Sequence, residues 1–162
     1  MKIEFKESFA ELSSSTRVNS QIKSRQSEID SNPSKLDSCD TKIEGDKQYW
    51  FIVNSDNLFV TKPNGFNVMY LVVKQGRRKP TVVGYISFSV SNSGTNYKTD
   101  TVLVLTTHRG KGYSKVMDKY IIEKTDLKYG TDLTFTKDGF LKMRANKKIL
   151  PWESFINNFL NW

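Results

Sequence analysis

One cysteine and one histidine in 162 residues remove a large part of protein chemistry at the outset. Cys39 lies in the polar stretch PSKLDSCDTK, with no second thiol for an intrachain disulfide. A single thiol and a single imidazole (His108) cannot build a Cys-based zinc site, so no metal is expected. No run approaches the roughly 18 consecutive apolar residues of a membrane span. The opening MKIEFKESFAELSSS lacks the apolar centre of a secretory leader. The chain is therefore expected to be soluble and cytoplasmic, with no membrane partner. Acidic residues run short in the later part of the sequence. Residues 1 to 50 hold 8 Lys and Arg against 9 Asp and Glu, whereas residues 51 to 162 hold 17 against 8.

What is present fits one domain, 1–162, long enough to bury a core. It divides into a polar variable part, 1–48, a core, 49–137, and a helical end, 138–162. The net charge of +8, carried wholly by the later part, suits an anionic partner such as a phosphorylated cofactor, a nucleic acid or an acidic surface. It also suits a surface whose only task is solubility.

Residues 2 to 7, KIEFKE, alternate as a half-buried strand does. From Ser8 to Asp30 the thin stripe Phe9, Leu12, Val18, Ile22 and Ile29 predicts a marginal helix, stopped by Asn32-Pro33. Residues 34 to 47 read as a loop or lid. YWFIV and NLFVTK read as short strands about a turn at Asn54 to Asn57. FNVMYLVVKQ and TVVGYISFSV form a hairpin across GRRKP, and KTDTVLVLTT is the next strand. YSKVMDKYIIEK then has its apolar residues at 113, 116, 117, 120 and 121, the spacing of an amphipathic helix. TDLTFTK alternates as a further strand. Asp138 caps a helical stretch, and after Pro151 the residues Trp152, Phe155, Ile156, Phe159 and Leu160 make a second helical face. The sum is an α+β fold, a mostly antiparallel twisted sheet with flanking helices.

The strand-to-helix corner, TTHRGKGYSK, carries the chemistry. It is not a Walker A loop, because Tyr113 stands where Lys must follow the second glycine. It is not the dinucleotide fingerprint, because Lys115 occupies the place of the third glycine. Gly110 and Gly112 are also too close together for a GxxG clamp. The underlying physics survives all three failures. A helix N-terminus presents unpaired N–H groups and partial positive charge to an anion. Glycines let a ligand approach the backbone, and Arg109, Lys111 and Lys115 add charge at the rim, with the Ser114 hydroxyl beside them.

Arg109-Gly110-Lys111-Gly112-Tyr113-Ser114, after a strand and opening a helix, resembles motif A of the GNAT acyltransferase superfamily, which reads Arg/Gln-x-x-Gly-x-Gly/Ala. Ser114 in place of the last small residue is a departure. The upstream hairpin, the strand before the corner and the later strand at 131 to 136 are also in the family's order, so the resemblance covers residues 49 to 137. It implies a GNAT-like acyl-CoA fold with a divergent C-terminal end, and acetyl-CoA as acyl donor. It implies that backbone groups from Arg109 to Ser114, with Tyr113 among them and Lys115 beside them, hold the pyrophosphate. It implies that Leu103, Val104 and Leu105 pair with the pantetheine arm, one N–H polarising the thioester carbonyl. An amine acceptor would then attack directly.

The family often uses a Glu on or near the motif strand as base and a Tyr in a later helix as acid. Here only Asp100 is near the first place, at the start of its strand, and no tyrosine follows Tyr129. His108 falls on the phosphate side. No catalytic residue is assigned. The acceptor side would be formed by 8 to 48 and by the residues after Thr136, which resemble nothing nameable. Two other functions compete with acyl transfer. One is a catalytically inactive family member working through protein contacts. The other is a basic nucleic-acid-binding module, with Arg77, Arg78 and Lys79 at a hairpin tip drawing in an acidic partner.

Overall fold

The computed structural model describes residues 9–130. The expected strand at 2–7, the strand at 131–136 and the helical segments after it lie outside the described residues. Helix α1, Phe9–Ser31, leads through a 3-10 turn at Pro33–Ser38 into strands β1, Asp40–Glu44, β2, Lys47–Val53, β3, Phe66–Gln75, β4, Thr81–Val90, and β5, Asn96–Val104. Helix α2, Tyr113–Thr125, then returns the chain to β6, Lys128–Tyr129. The six strands form one mixed sheet in sequence order, antiparallel throughout except for the parallel β5–β6 pair. The fold is α+β.

The sheet is covered on both faces, which explains the near-continuous apolar runs of β3 and β4. On one face Val18, Ile22 and Ile29 of α1 pack with Leu36, Tyr70, Val72, Val82 and Tyr85. Few apolar positions suffice, because the sheet supplies the bulk. Tyr70 and Tyr85 meet edge to face at 5.3 Å, and Arg25 lies 4.9 Å above the Tyr70 ring. Gln26 fastens the same helix to the start of β4, accepting from the Val82 N–H at 2.7 Å and donating to the Pro80 carbonyl at 3.1 Å. The marginal helix is therefore a full element of 23 residues, and it does end ahead of Pro33.

On the other face Tyr113, Met117, Tyr120 and Ile121 of α2 meet Tyr49, Phe51, Met69, Leu71, Ile86 and Phe88. Each such fully buried large side chain contributes roughly 1.5–3 kcal/mol. Phe51 and Tyr120 stack at 3.8 Å, and Met117 presses on Gly84, where an added Cβ would come within 3.1 Å of its methyl.

Two expectations fail for identifiable reasons. The loop or lid at 34–47 is instead a 3-10 turn and an edge strand, β1. Its side chains are nearly all exposed, so no apolar pattern announced it. The strand expected at NLFVTK is irregular backbone, because a side chain takes the place of its partner strand. Asn67, fully buried, accepts from the Val60 N–H at 2.7 Å and donates to the Val60 carbonyl at 2.9 Å. Asn54 donates to Asn67 Oδ1 at 3.0 Å and accepts from the Val68 N–H at 2.9 Å. Asn67→Ala should lose about 2 kcal/mol by orphaning these buried groups. Urea denaturation checks this, and an unchanged midpoint would refute it.

Ion pairs pin α2 to the edge strand. Lys42 bonds Glu123, and Lys124 Nζ lies 2.9 Å from Asp40 Oδ2, which also accepts from the Tyr120 hydroxyl at 3.0 Å. Lys124 foremost holds Asp40, and Lys42 holds Glu123, below the usual carboxylate range. Lowered folded-state pKa values contribute stability that is complete above the unfolded values and is lost as pH falls through the folded ones. Both acids are partly solvated, so the melting temperature should decline only gently below about pH 4, and less so in high salt. A melting temperature indifferent to pH down to about 2.5 would contradict this.

Candidate functional site: the open edge and the β5–α2 corner

The site begins with a fault in β5. Ser87 faces Thr101 and Phe88 faces Thr99, so Asp100 is an extra residue without a partner in β4. A bulge changes which residues face which edge. Before it, Tyr97 directs its carbonyl to β6, accepting from the Gly130 N–H at 2.6 Å. After it, the Leu105 N–H donates to Val83 in β4 at 2.9 Å, and by the alternation of antiparallel pairs Leu103 faces β4 too. Val102 and Val104 therefore direct their backbone groups to the outer edge. β6 pairs only with Asn96 and Tyr97, so among the described residues that edge carries no strand from Thr99 onward. The resemblance placed the pantetheine arm beside the backbone of Leu103, Val104 and Leu105. Leu103 and Leu105 hydrogen-bond inward and pack toward α1, and Val104 alone of the three offers its backbone outward.

The corner follows. A 3-10 turn at Thr106–His108 leads to Arg109, whose Nε donates to the Val104 carbonyl at 3.1 Å. Gly110 and Gly112 have φ of +79° and +77°, a left-handed conformation that other residues adopt at a cost of roughly 1–2 kcal/mol. Among the described residues nothing lies within 4 Å of where a Cβ would stand on either. The first intrahelical bond is Val116 N–H to the Gly112 carbonyl, 3.1 Å. The N–H groups of Tyr113, Ser114 and Lys115 precede it, with no side-chain cap and no acidic residue in the first turn. The positive end of the α2 dipole thus meets no carboxylate of its own first turn.

The predicted residues divide accordingly. Arg109, Gly110, Lys111, Gly112, Ser114 and Lys115 meet at this corner, with Lys111 and Lys115 exposed and Ser114 half-buried. Tyr113 contributes only its backbone, since its ring is buried edge-on to Tyr49 at 6.3 Å. His108 is 6.5 Å from that ring, and burial, then the Lys111 charge, lowers its pKa. It is neutral at pH 7 and adds nothing to the positive rim.

Three features escaped the sequence. Lys47, at the start of β2, lies 5.0 Å over the Tyr113 ring, bringing a further ammonium to the corner. The Tyr97 hydroxyl donates at 2.7 Å to Asp118, both fully buried, joining β5 to α2. Burial foremost, then the Asp118 charge, raises the Tyr97 pKa well above the usual range. Near the bulge, the buried Thr99 Oγ1 has no partner among the described residues, and exposed Asp100 accepts from Ser89 at 2.8 Å. Asp100 thus belongs to the bulge and not to the start of the strand. Its charge and that of Arg17 reach the Tyr85 hydroxyl, whose pKa is raised mainly by burial.

Among the described residues there is no group of three or more His, Cys, Asp and Glu able to hold a metal, and no helix long and apolar enough to cross a membrane. Comparison with protein-family models, curated proteins and solved structures gave no match to this chain.

Proposed function

We propose that this protein is an N-acyltransferase of GNAT-like fold, transferring an acetyl group from acetyl-CoA to an amine. The observation that carries the reading is the uncapped start of α2 behind two glycines with no described atom in their way, beside a strand edge that no described residue pairs with beyond Tyr97. The residues present fit such a donor. The N–H groups of Gly112, Tyr113, Ser114 and Lys115 hold the pyrophosphate, with Lys111 and Lys115 at its rim. The outward backbone groups of Val102 and Val104 hold the pantetheine arm as an added strand. The Val104 carbonyl is already engaged by Arg109, so Arg109 acts on the strand edge as well as on the anion.

In the reaction the neutral amine nitrogen attacks the thioester carbonyl carbon. A C–N bond forms, the C–S bond breaks, and the thiolate leaves and takes up a proton. An outward N–H of β5 stabilises the developing oxyanion, and holding both reactants supplies most of the acceleration. The acceptor must first lose a proton from an ammonium of pKa about 10 for a lysine. No described side chain at the corner is placed for this, and water or another group takes the proton.

That shortage favours one second reading, an acyl-CoA-binding protein without turnover. Calorimetric titration with acetyl-CoA and with free CoA tests the shared premise. Binding of both supports the site, and no binding of either removes both readings. Acetyl-CoA hydrolysis or amine acetylation then separates them.

A further inference from the structure

The fold gathers positive charge at one end of the sheet. β2 starts there with Lys47, β3 finishes there with Lys74, and the β3–β4 turn presents Arg77, Arg78 and Lys79. β5 ends there, since Gly84 near the start of β4 faces Val104, and the corner adds Lys111 and Lys115. Direct contacts hold these pieces together. The Gly76 N–H donates to the Asp46 carbonyl at 3.0 Å, Leu105 bonds Val83 at 2.9 Å, and Lys47 covers Tyr113.

Ion pairing separates this end from the rest. Arg25, Lys35, Lys42 and Lys124, elsewhere, each bond a carboxylate. At this end only Lys79 does, to Asp30 at 3.2 Å. Lys47, Lys74, Arg77, Arg78, Lys111 and Lys115 make no ion pair with a described residue. Glu44, opposite Lys47, and Asp46, whose carbonyl holds the β3–β4 turn, offset part of this charge, yet the cations outnumber the acids at this end of the sheet, and a polyanion relieves their repulsion.

We propose that this end of the sheet binds double-stranded DNA through its phosphate backbone. Strand spacing decides among polyanions. From β2 to β5 are three strand intervals, about 14 Å, which places charges on both sides of a B-DNA major groove about 12 Å wide. The major groove of duplex RNA is deep and narrow, so the match is to the B-form major groove. A single strand would need aromatic platforms, and among the described residues the exposed large apolar side chains are Ile43, Leu58 and Phe66, only the last aromatic and at the opposite end of β3. The proposal does not depend on acyl transfer. If both hold, the amine acceptor is one presented on DNA.

The test is fluorescence anisotropy with a labelled DNA duplex of about 20 base pairs over about 50–200 mM salt, without CoA. Six phosphate contacts predict log K falling with log salt at a slope of about −5, a loss of about a thousandfold over that range. Arg77→Ala/Arg78→Ala should make the slope shallower by about 2 and weaken binding at least tenfold at the lower salt. Its melting temperature and acetyl-CoA titration should stay unchanged, because both residues are exposed at the turn and neither belongs to the glycine corner. Salt-independent binding, or an unchanged double variant, overturns the proposal. So does equal or tighter binding of duplex RNA, or displacement of the DNA by polyglutamate at matching charge concentration. Failure of the acetyl-CoA titration with DNA binding intact would remove the acyltransferase reading alone.

Discussion

Gly112→Asp should weaken acetyl-CoA at least about 100-fold, about 2.7 kcal/mol, while the protein stays folded. The substitution works at the point where the α2 dipole, a Gly112 with no described atom in its way and the uncapped N–H groups coincide. Aspartate tolerates the left-handed backbone better than most residues. A carboxylate beside a helix N-terminus is also favourable in itself, so the strain at φ +77° is partly offset. The same carboxylate occupies the space a phosphate would need and repels it. Gly112→Ala carries the strain without the charge and should lose far less binding. Calorimetry on the three proteins, with melting curves as the control, reads the result. Equal binding by wild type and Gly112→Asp would place the anion elsewhere.

Tyr97→Phe should lower stability by about 2–3 kcal/mol, the range for a buried hydrogen bond to a charged group. For a chain of this length that is a melting temperature lower by about 6–10 °C. The Tyr97 hydroxyl lies 2.7 Å from Asp118 Oδ1, and neither side chain reaches solvent, so water cannot replace the lost donor. Asp118→Asn should be milder, because a neutral amide leaves no buried charge, and the double variant should lose less than the sum of the two. Denaturant titration of the four proteins measures the coupling, and additivity within about 0.5 kcal/mol would deny it. The bond has a functional side. It fastens α2, whose start forms the corner, to the end of β5 at which β6 pairs.

Much of this architecture was legible because it is local. FNVMYLVVKQ and TVVGYISFSV are β3 and β4 to the residue, since their apolar runs and the GRRKP turn leave no other pairing. The 3.6-residue spacing of Tyr113, Val116, Met117, Tyr120 and Ile121 gave α2 within one residue at its end. Gly110 and Gly112 were read as needed for a curled backbone, and both have positive φ.

What escaped depends on partners far away in the chain. Asn67 looks like a polar residue in a strand, yet its amide replaces a whole strand for Val60. β1 has no apolar pattern because an edge strand needs only backbone partners and ion pairs such as Lys124 to Asp40. Which of Leu103, Val104 and Leu105 turn their backbone outward was not legible, because one extra residue, Asp100, reverses the alternation along β5. Composition and periodicity thus determined the elements, their order and the chemistry available at the corner. Tertiary structure alone decided which residues of β5 turn their backbone outward, that Tyr97 meets Asp118, and that lysines and arginines from four separate segments share one end of the sheet. Hydrogen-bond register and charge proximity are set in space, between residues that sequence distance keeps apart.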